Sequence, residues 1–146
     1  MTAALLAALF FTVALLVTTA YFLLGSVPLL VLSHDTPMDS RFVRGFFNTY
    51  YLAVMYIAGA TAISYVAAGR PLVAAGAAGL AVLAVGMRRK IIARMDALRT
   101  QIDAGAGAVI ASFRRLHLTA ILVNLAQLVL IVWSLIAASM QARAGA

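Results

Sequence analysis

Four long stretches without an Asp, Glu, Lys or Arg, residues 1–33, 45–69, 71–87 and 116–142, dictate what this chain can fold into. A helix crosses about 30 Å of hydrocarbon with about 20 mostly apolar residues, about 17–25 being tolerated. The stretches therefore read as four membrane spans. The third is at the short limit, and the first is long enough to tilt or bend, with Pro28 as the expected bend. With 65% hydrophobic and 10% charged residues, a water-soluble domain of 146 residues would expose far more apolar surface than it could hide. The predicted fold is an all-α, polytopic membrane four-helix bundle forming one domain over residues 1–146. Its spans lie at about 4–32, 44–68, 71–88 and 112–138, with polar loops at 33–43 and 89–111.

The charges set an orientation. Nine of the eleven cationic side chains, with every Asp, Glu and His, fall in residues 33–44 and 88–117, leaving only Arg70 and Arg143 at the other membrane face. Positive-inside bias then predicts an N-out, C-out bundle with both long loops in the cytoplasm, as a multi-pass protein of a bacterial cytoplasmic (inner) membrane. A cleavable signal peptide is the competing account of the N-terminus. Residues 1–5 carry no positive charge, however, and the apolar run exceeds a signal core, so a retained helix is expected. The net charge of +7 reflects this topology rather than nucleic-acid binding. The expected partners are the lipid bilayer, its anionic headgroups, and a second copy of the chain or a partner membrane subunit. With no cysteine, disulfides, thiolate metal sites and Cys nucleophiles are excluded.

Local signals refine the bundle. Gly69 and Pro71 flank a tight turn, Gly closing one helix and Pro opening the next, so spans two and three form an antiparallel hairpin. The third span is rich in Ala and Gly, with Ala75, Gly79 and Leu83 on one row beside Gly76; close backbone packing at the bundle centre is expected, or a homodimer seam through the same residues. Residues 88–102 continue helically, with Ile91, Ile92, Met95, Leu98 and Ile102 making one oily face that would lie against the loop or lipid headgroups until Gly105 and Gly107 break the helix. In the first loop, Asp39 or Ser40 is the expected N-cap of a helix starting near Arg41. That helix opens on the aromatic residues Phe42, Phe46, Phe47, Tyr50 and Tyr51, with Tyr56 further on: interfacial anchors, or the wall of a pocket for a flat ligand.

The last span carries the candidate site. His117 and Asn124 are nearly two helical turns apart and share a stripe, with Gln127 one turn beyond. Polar groups in hydrocarbon turn inward and find partners. One reading is a packing network of Asn48, Asn124 and Gln127 with His117 on a backbone carbonyl. Three functional readings stand beside it: general acid/base chemistry by His117 with Asp35, a haem held by His34 and His117, and an anion pocket built from the Arg residues near His117. The ligand-binding candidates are His117, Asn124, Asn48, Arg115, Arg44 and His34, and no metal set is expected beyond that haem.

The run Phe113-Arg114-Arg115-Leu116-His117 with Asn124-Leu125, after the basic segment at 88–95 and the Val27-Pro28-Leu29 step, resembles an uncharacterised bacterial four-helix membrane family. That family includes a eukaryotic membrane protein associated with cisplatin resistance. More distantly, the chain is similar to membrane proteins of the anthrone-oxygenase type. The resemblance implies functional interest at Pro28, Asn48, Arg115, His117 and Asn124. The leading expectation is an accessory or small-ligand-binding membrane protein with its polar site at the cytoplasmic helix ends. The alternatives are a cofactor-independent oxygenase acting on an aromatic substrate and a haem or quinone redox subunit.

Overall fold

The computed structural model describes residues 2–32, 36–105 and 107–144, with side chains through Ile136 in the last segment. It is helical, with no strand among the described residues, and four of its helices are long and apolar enough to cross a membrane. Helix α1, Ala3–Ser26, starts on Thr2, whose hydroxyl accepts from the Leu5 N–H at 3.3 Å. It ends just ahead of Pro28, which has no N–H to continue the ladder. The chain there tightens into a 3₁₀ turn over Pro28–Val31, so the expected bend is a helix end.

Helix α2, Pro37–Ala67, begins four residues before Arg41. Its cap is Thr36 rather than Asp39 or Ser40: the threonine hydroxyl accepts from the Asp39 N–H at 3.1 Å. Pro37 follows at the first helical position, where its fixed φ suits the helix and its missing N–H costs nothing. Asp39 falls in the first turn, where its charge favours the helix dipole. Thr36→Ala should cost about 1 kcal/mol locally, seen as faster amide exchange confined to the first turn of α2.

The α2–α3 hairpin forms as the sequence signals. Gly69 takes φ 70°, its N–H bonds the Val66 carbonyl at 3.0 Å, and the Arg70 N–H bonds that of Tyr65 at 2.9 Å. These are the two bonds of a Schellman cap, after which Pro71 opens α3, Pro71–Met87. Helix α3 then runs through a π turn, Arg88–Ile92, into α4, Ala93–Asp103. The whole rod from Pro71 to Asp103 is 33 residues, about 50 Å. That exceeds the hydrocarbon thickness. Gly105, at φ 81°, turns the chain into a short 3₁₀ turn and α5, Ile110–Ala144.

Helix α2 lies between α1 and α3, while α5 packs on α1 and α4. The expectation that α3 sits at the bundle centre is overturned, because it is the least buried of the four spans. Only Ala74, Ala77 and Ala84 are buried, against α2, and Ala75, Gly76, Gly79 and Leu83 face outward. Small residues permit close approach, yet the approach uses one narrow row of alanines. The oily face of residues 91–102 also differs from expectation: it docks on α2 and α5, burying Ile91, Ile92, Met95 and Ile102.

On α1 the buried row is Ala8, Thr12, Leu15, Thr19 and Ser26. Its hydroxyls bond back to carbonyls of their own helix, Thr12 to Ala8, Thr19 to Leu15 and Ser26 to Leu23, at 2.7–2.8 Å. Small, self-satisfied side chains thus face α2 without burying an unpaired donor. At Gly25 a Cβ would meet the Phe46 ring at 2.9 Å, so its absence gives that ring its place against Phe22, 4.8 Å between centroids.

Candidate functional site

The buried stripe of α5 runs Phe113, His117, Ala120, Ile121, Asn124, Gln127 and Ile131, at helical spacings of three and four residues. Opposite it, α2 buries Val43, Phe47, Tyr50, Tyr51, Val54 and Ala58 by the same periodicity. The α2 and α5 backbones stay apart, and aromatic rings fill the space between them. Phe47 meets the His117 ring edge-on at 5.3 Å and stacks near Tyr51 at 6.3 Å, while Tyr50 and Tyr51 lie 5.3 Å apart. A long-range hydrogen bond crosses this layer. The Tyr50 hydroxyl donates to Gln127 Oε1 at 2.7 Å, joining residues 77 positions apart.

Several polar atoms around that bond engage no partner among the described residues: the Tyr51 hydroxyl, Gln127 Nε2, and both Nδ2 and Oδ1 of Asn124. All three residues are buried, Asn124 at 0% exposure. From Ile110 to Asn124 the helix rises about 21 Å, so these atoms lie deep within the span rather than at its end. A buried polar group left unbonded costs about 1–3 kcal/mol. In hydrocarbon no bulk water relieves that cost. The arrangement is a set of donors and acceptors on two helices, walled by aromatic faces, that no described side chain satisfies.

The other predicted site residues lie elsewhere. Arg44 is committed to Asp96, with Nε to Oδ1 at 2.8 Å and the second guanidinium nitrogen to Oδ2 at 2.9 Å. This two-pronged pair pins α4 to the start of α2. Its side chains are 31% and 41% exposed, so its contribution to stability is about 0.2–1 kcal/mol after solvent screening. Asp96→Asn should therefore raise proteolytic sensitivity across α4 while leaving the spans' stability nearly unchanged. Asn48 Oδ1 accepts from Arg88 Nε at 3.0 Å on an exposed surface, tying α2 to the π turn. Arg115 is exposed, because two residues turn a helix by about 200° and place it away from the buried His117.

His34 and Asp35 lie outside the described residues, and the haem and acid/base readings each need one of them. Among the described residues, no group of three or more His, Cys, Asp or Glu side chains is placed to hold a metal ion. Tyr50 was visible in sequence as one of an aromatic cluster, but nothing local pairs it with Gln127. The usable signal is the shared periodicity of two polar-bearing stripes, α2 at 43, 47, 50 and 54 and α5 at 117, 124 and 127. Compared with known proteins, the chain matches no family model, no curated protein and no solved structure.

Proposed function

We propose that this is a multi-pass membrane protein that binds a small ligand in the polar, aromatic layer between α2 and α5. The observation that carries the reading is Asn124, fully buried with both side-chain heteroatoms unbonded to any described residue. An amide in that state offers one donor pair and one acceptor. Gln127 Nε2 adds a donor, and the Tyr51 hydroxyl adds either function. Among the described residues no Asp, Glu, Lys or Arg is buried in the layer, so the complementary ligand is neutral, since an ion there would be desolvated without a counter-charge. The rings of Phe47, Tyr50 and Tyr51 favour a flat body bearing carbonyl or hydroxyl oxygens.

The layer is closed, so the ligand reaches it by separation of α5 from α2, which are held together by side chains rather than close backbone contact. On this reading the membrane is a bacterial inner membrane, and the Arg-rich end of the bundle faces the cytoplasm by positive-inside bias, with both chain ends on the opposite side. Native mass spectrometry of the protein extracted from its own membrane tests the reading. A bound non-lipid molecule present in the wild type and lost in both His117→Ala and Asn124→Ala is the expected result. A wild type carrying no such molecule, or variants that fold and retain it, would overturn the assignment.

A further inference from the structure

Helices α3 and α5 flank a second, distinct space at the hairpin end of the bundle. It is a cleft of about 490 Å³, floored by Thr12 of α1 and Tyr65 of α2 and walled by Gly76 of α3 and Leu130 and Trp133 of α5, with Arg70 at its mouth. Along α3 it extends from Arg70 to Leu80, about 15 Å. The volume is in the range of small-molecule sites. The space beside Gly76 is open, since a Cβ there would meet nothing within 4 Å.

The cleft has one apolar length and one polar end. Its floor hydroxyls are engaged with each other and the backbone: Thr12 donates to the Ala8 carbonyl 2.7 Å away and lies 3.2 Å from the Tyr65 hydroxyl. They set no requirement for a polar ligand deep inside. Arg70 does set one at the mouth. The chain has four acidic residues, at 35, 39, 96 and 103, and those described, Asp39, Asp96 and Asp103, lie in the first turn of α2 and in α4, at the opposite end of the rods. No acidic side chain of the described residues shares the hairpin end, so Arg70 stands exposed at the mouth with no described carboxylate beside it.

We propose that this cleft is a binding site for one anionic phospholipid of the surrounding bilayer, an acyl chain lying between α3 and α5 and the phosphate held by Arg70. The apolar walls, the gap open between the two helices and the exposed Arg70 fit that chemistry together. A second copy of the chain fits less well, because its described residues offer no carboxylate at this end to meet Arg70.

Trp133 is the only tryptophan of the chain and lines the cleft, so its fluorescence reports on the occupant directly. The full chain is placed in phosphatidylcholine vesicles containing a low mole fraction of lipid with bromine-labelled acyl chains, which quench tryptophan on contact. Labelled phosphatidylglycerol should quench at about fivefold lower mole fraction than labelled phosphatidylcholine, the preference that one Arg near an anionic headgroup supports. Arg70→Gln should abolish that preference, and Gly76→Leu, which fills the cleft, should weaken it. Arg41→Gln, at the other end of the bundle, should leave it intact. Helicity by circular dichroism confirms that each variant is folded. Equal quenching by both lipids, or a preference that survives Arg70→Gln, would overturn the proposal. So would protection of Trp133 from both lipids in a protein that is dimeric by mass, which would put a second copy in the cleft.

Discussion

Asn124→Leu should stabilise the ligand-free protein by about 1–3 kcal/mol, the usual cost of a buried polar group left without a partner, and at the same time abolish ligand binding. The two side chains share the same branched skeleton of Cβ, Cγ and two δ atoms, so Leu can take the place of the amide in the stripe from His117 to Gln127 while two unbonded heteroatoms vanish from the layer. Opposite signs for stability and function are the diagnostic result. A packing network in which the amide joins helices predicts the reverse sign for stability, because Leu would then break bonds that hold the bundle together. Thermal or denaturant unfolding in detergent, on protein stripped of bound small molecules, measures the first quantity, and retention of the ligand mass measures the second. A clear loss of stability in the stripped protein would show that Asn124 is bonded there, and would remove the observation on which the binding site rests.

The second large effect runs the other way. Phe47→Ala should destabilise the bundle by about 3–5 kcal/mol, in the range for deleting a fully buried aromatic side chain. Phe47 is at 0% exposure and touches the rings of Phe46, Tyr51 and His117, with centroids 5.3–6.3 Å apart. Because α2 and α5 meet through such rings more than through their backbones, the lost contacts are not replaced by closer helix packing. Increased amide exchange should appear first along the buried stripe of α5. The hairpin of α2 and α3, which packs through small residues instead, should be nearly unaffected. A drop spread evenly over all four spans would mean that the aromatic layer is not the specific joint between α2 and α5.

Much of this architecture was legible because its signals are local. Four apolar runs between charged segments give the span count, and Gly69 with Pro71 gives the hairpin, since each acts on the backbone of its own turn. The inward stripe of His117, Asn124 and Gln127 was legible too, because helical periodicity converts spacing into a face without knowledge of the partner. The start of α2 was misplaced by four residues. Thr36 followed by Pro37 makes a stronger start than Asp39 or Ser40, as the cap and the first helical residue cooperate.

The misplacement of α3 has a different origin. Ala75, Gly76 and Gly79 announce that a backbone could approach closely, but not that one does. In the structure the row that meets α2 is Ala74, Ala77 and Ala84, and the glycines are exposed, Gly76 beside the cleft. Arg44, similarly, had equal reason in sequence to meet a ligand, a lipid or a carboxylate. Its pairing with Asp96, 52 positions away, depends on α4 folding back over the start of α2.

By itself, the sequence determined the all-helical class, the four spans, the tight hairpin and the identity of the polar face of α5, because these follow from hydrocarbon thickness, turn stereochemistry and helical period. Only the tertiary structure decided which faces meet: the aromatic layer between α2 and α5, the bond from Tyr50 to Gln127, the unbonded amide of Asn124 and the open cleft beside α3. Those depend on the distances between helices far apart in the chain, and in a membrane, where apolar side chains gain little by leaving lipid for one another, such distances are set by shape and hydrogen bonding rather than by hydrophobicity.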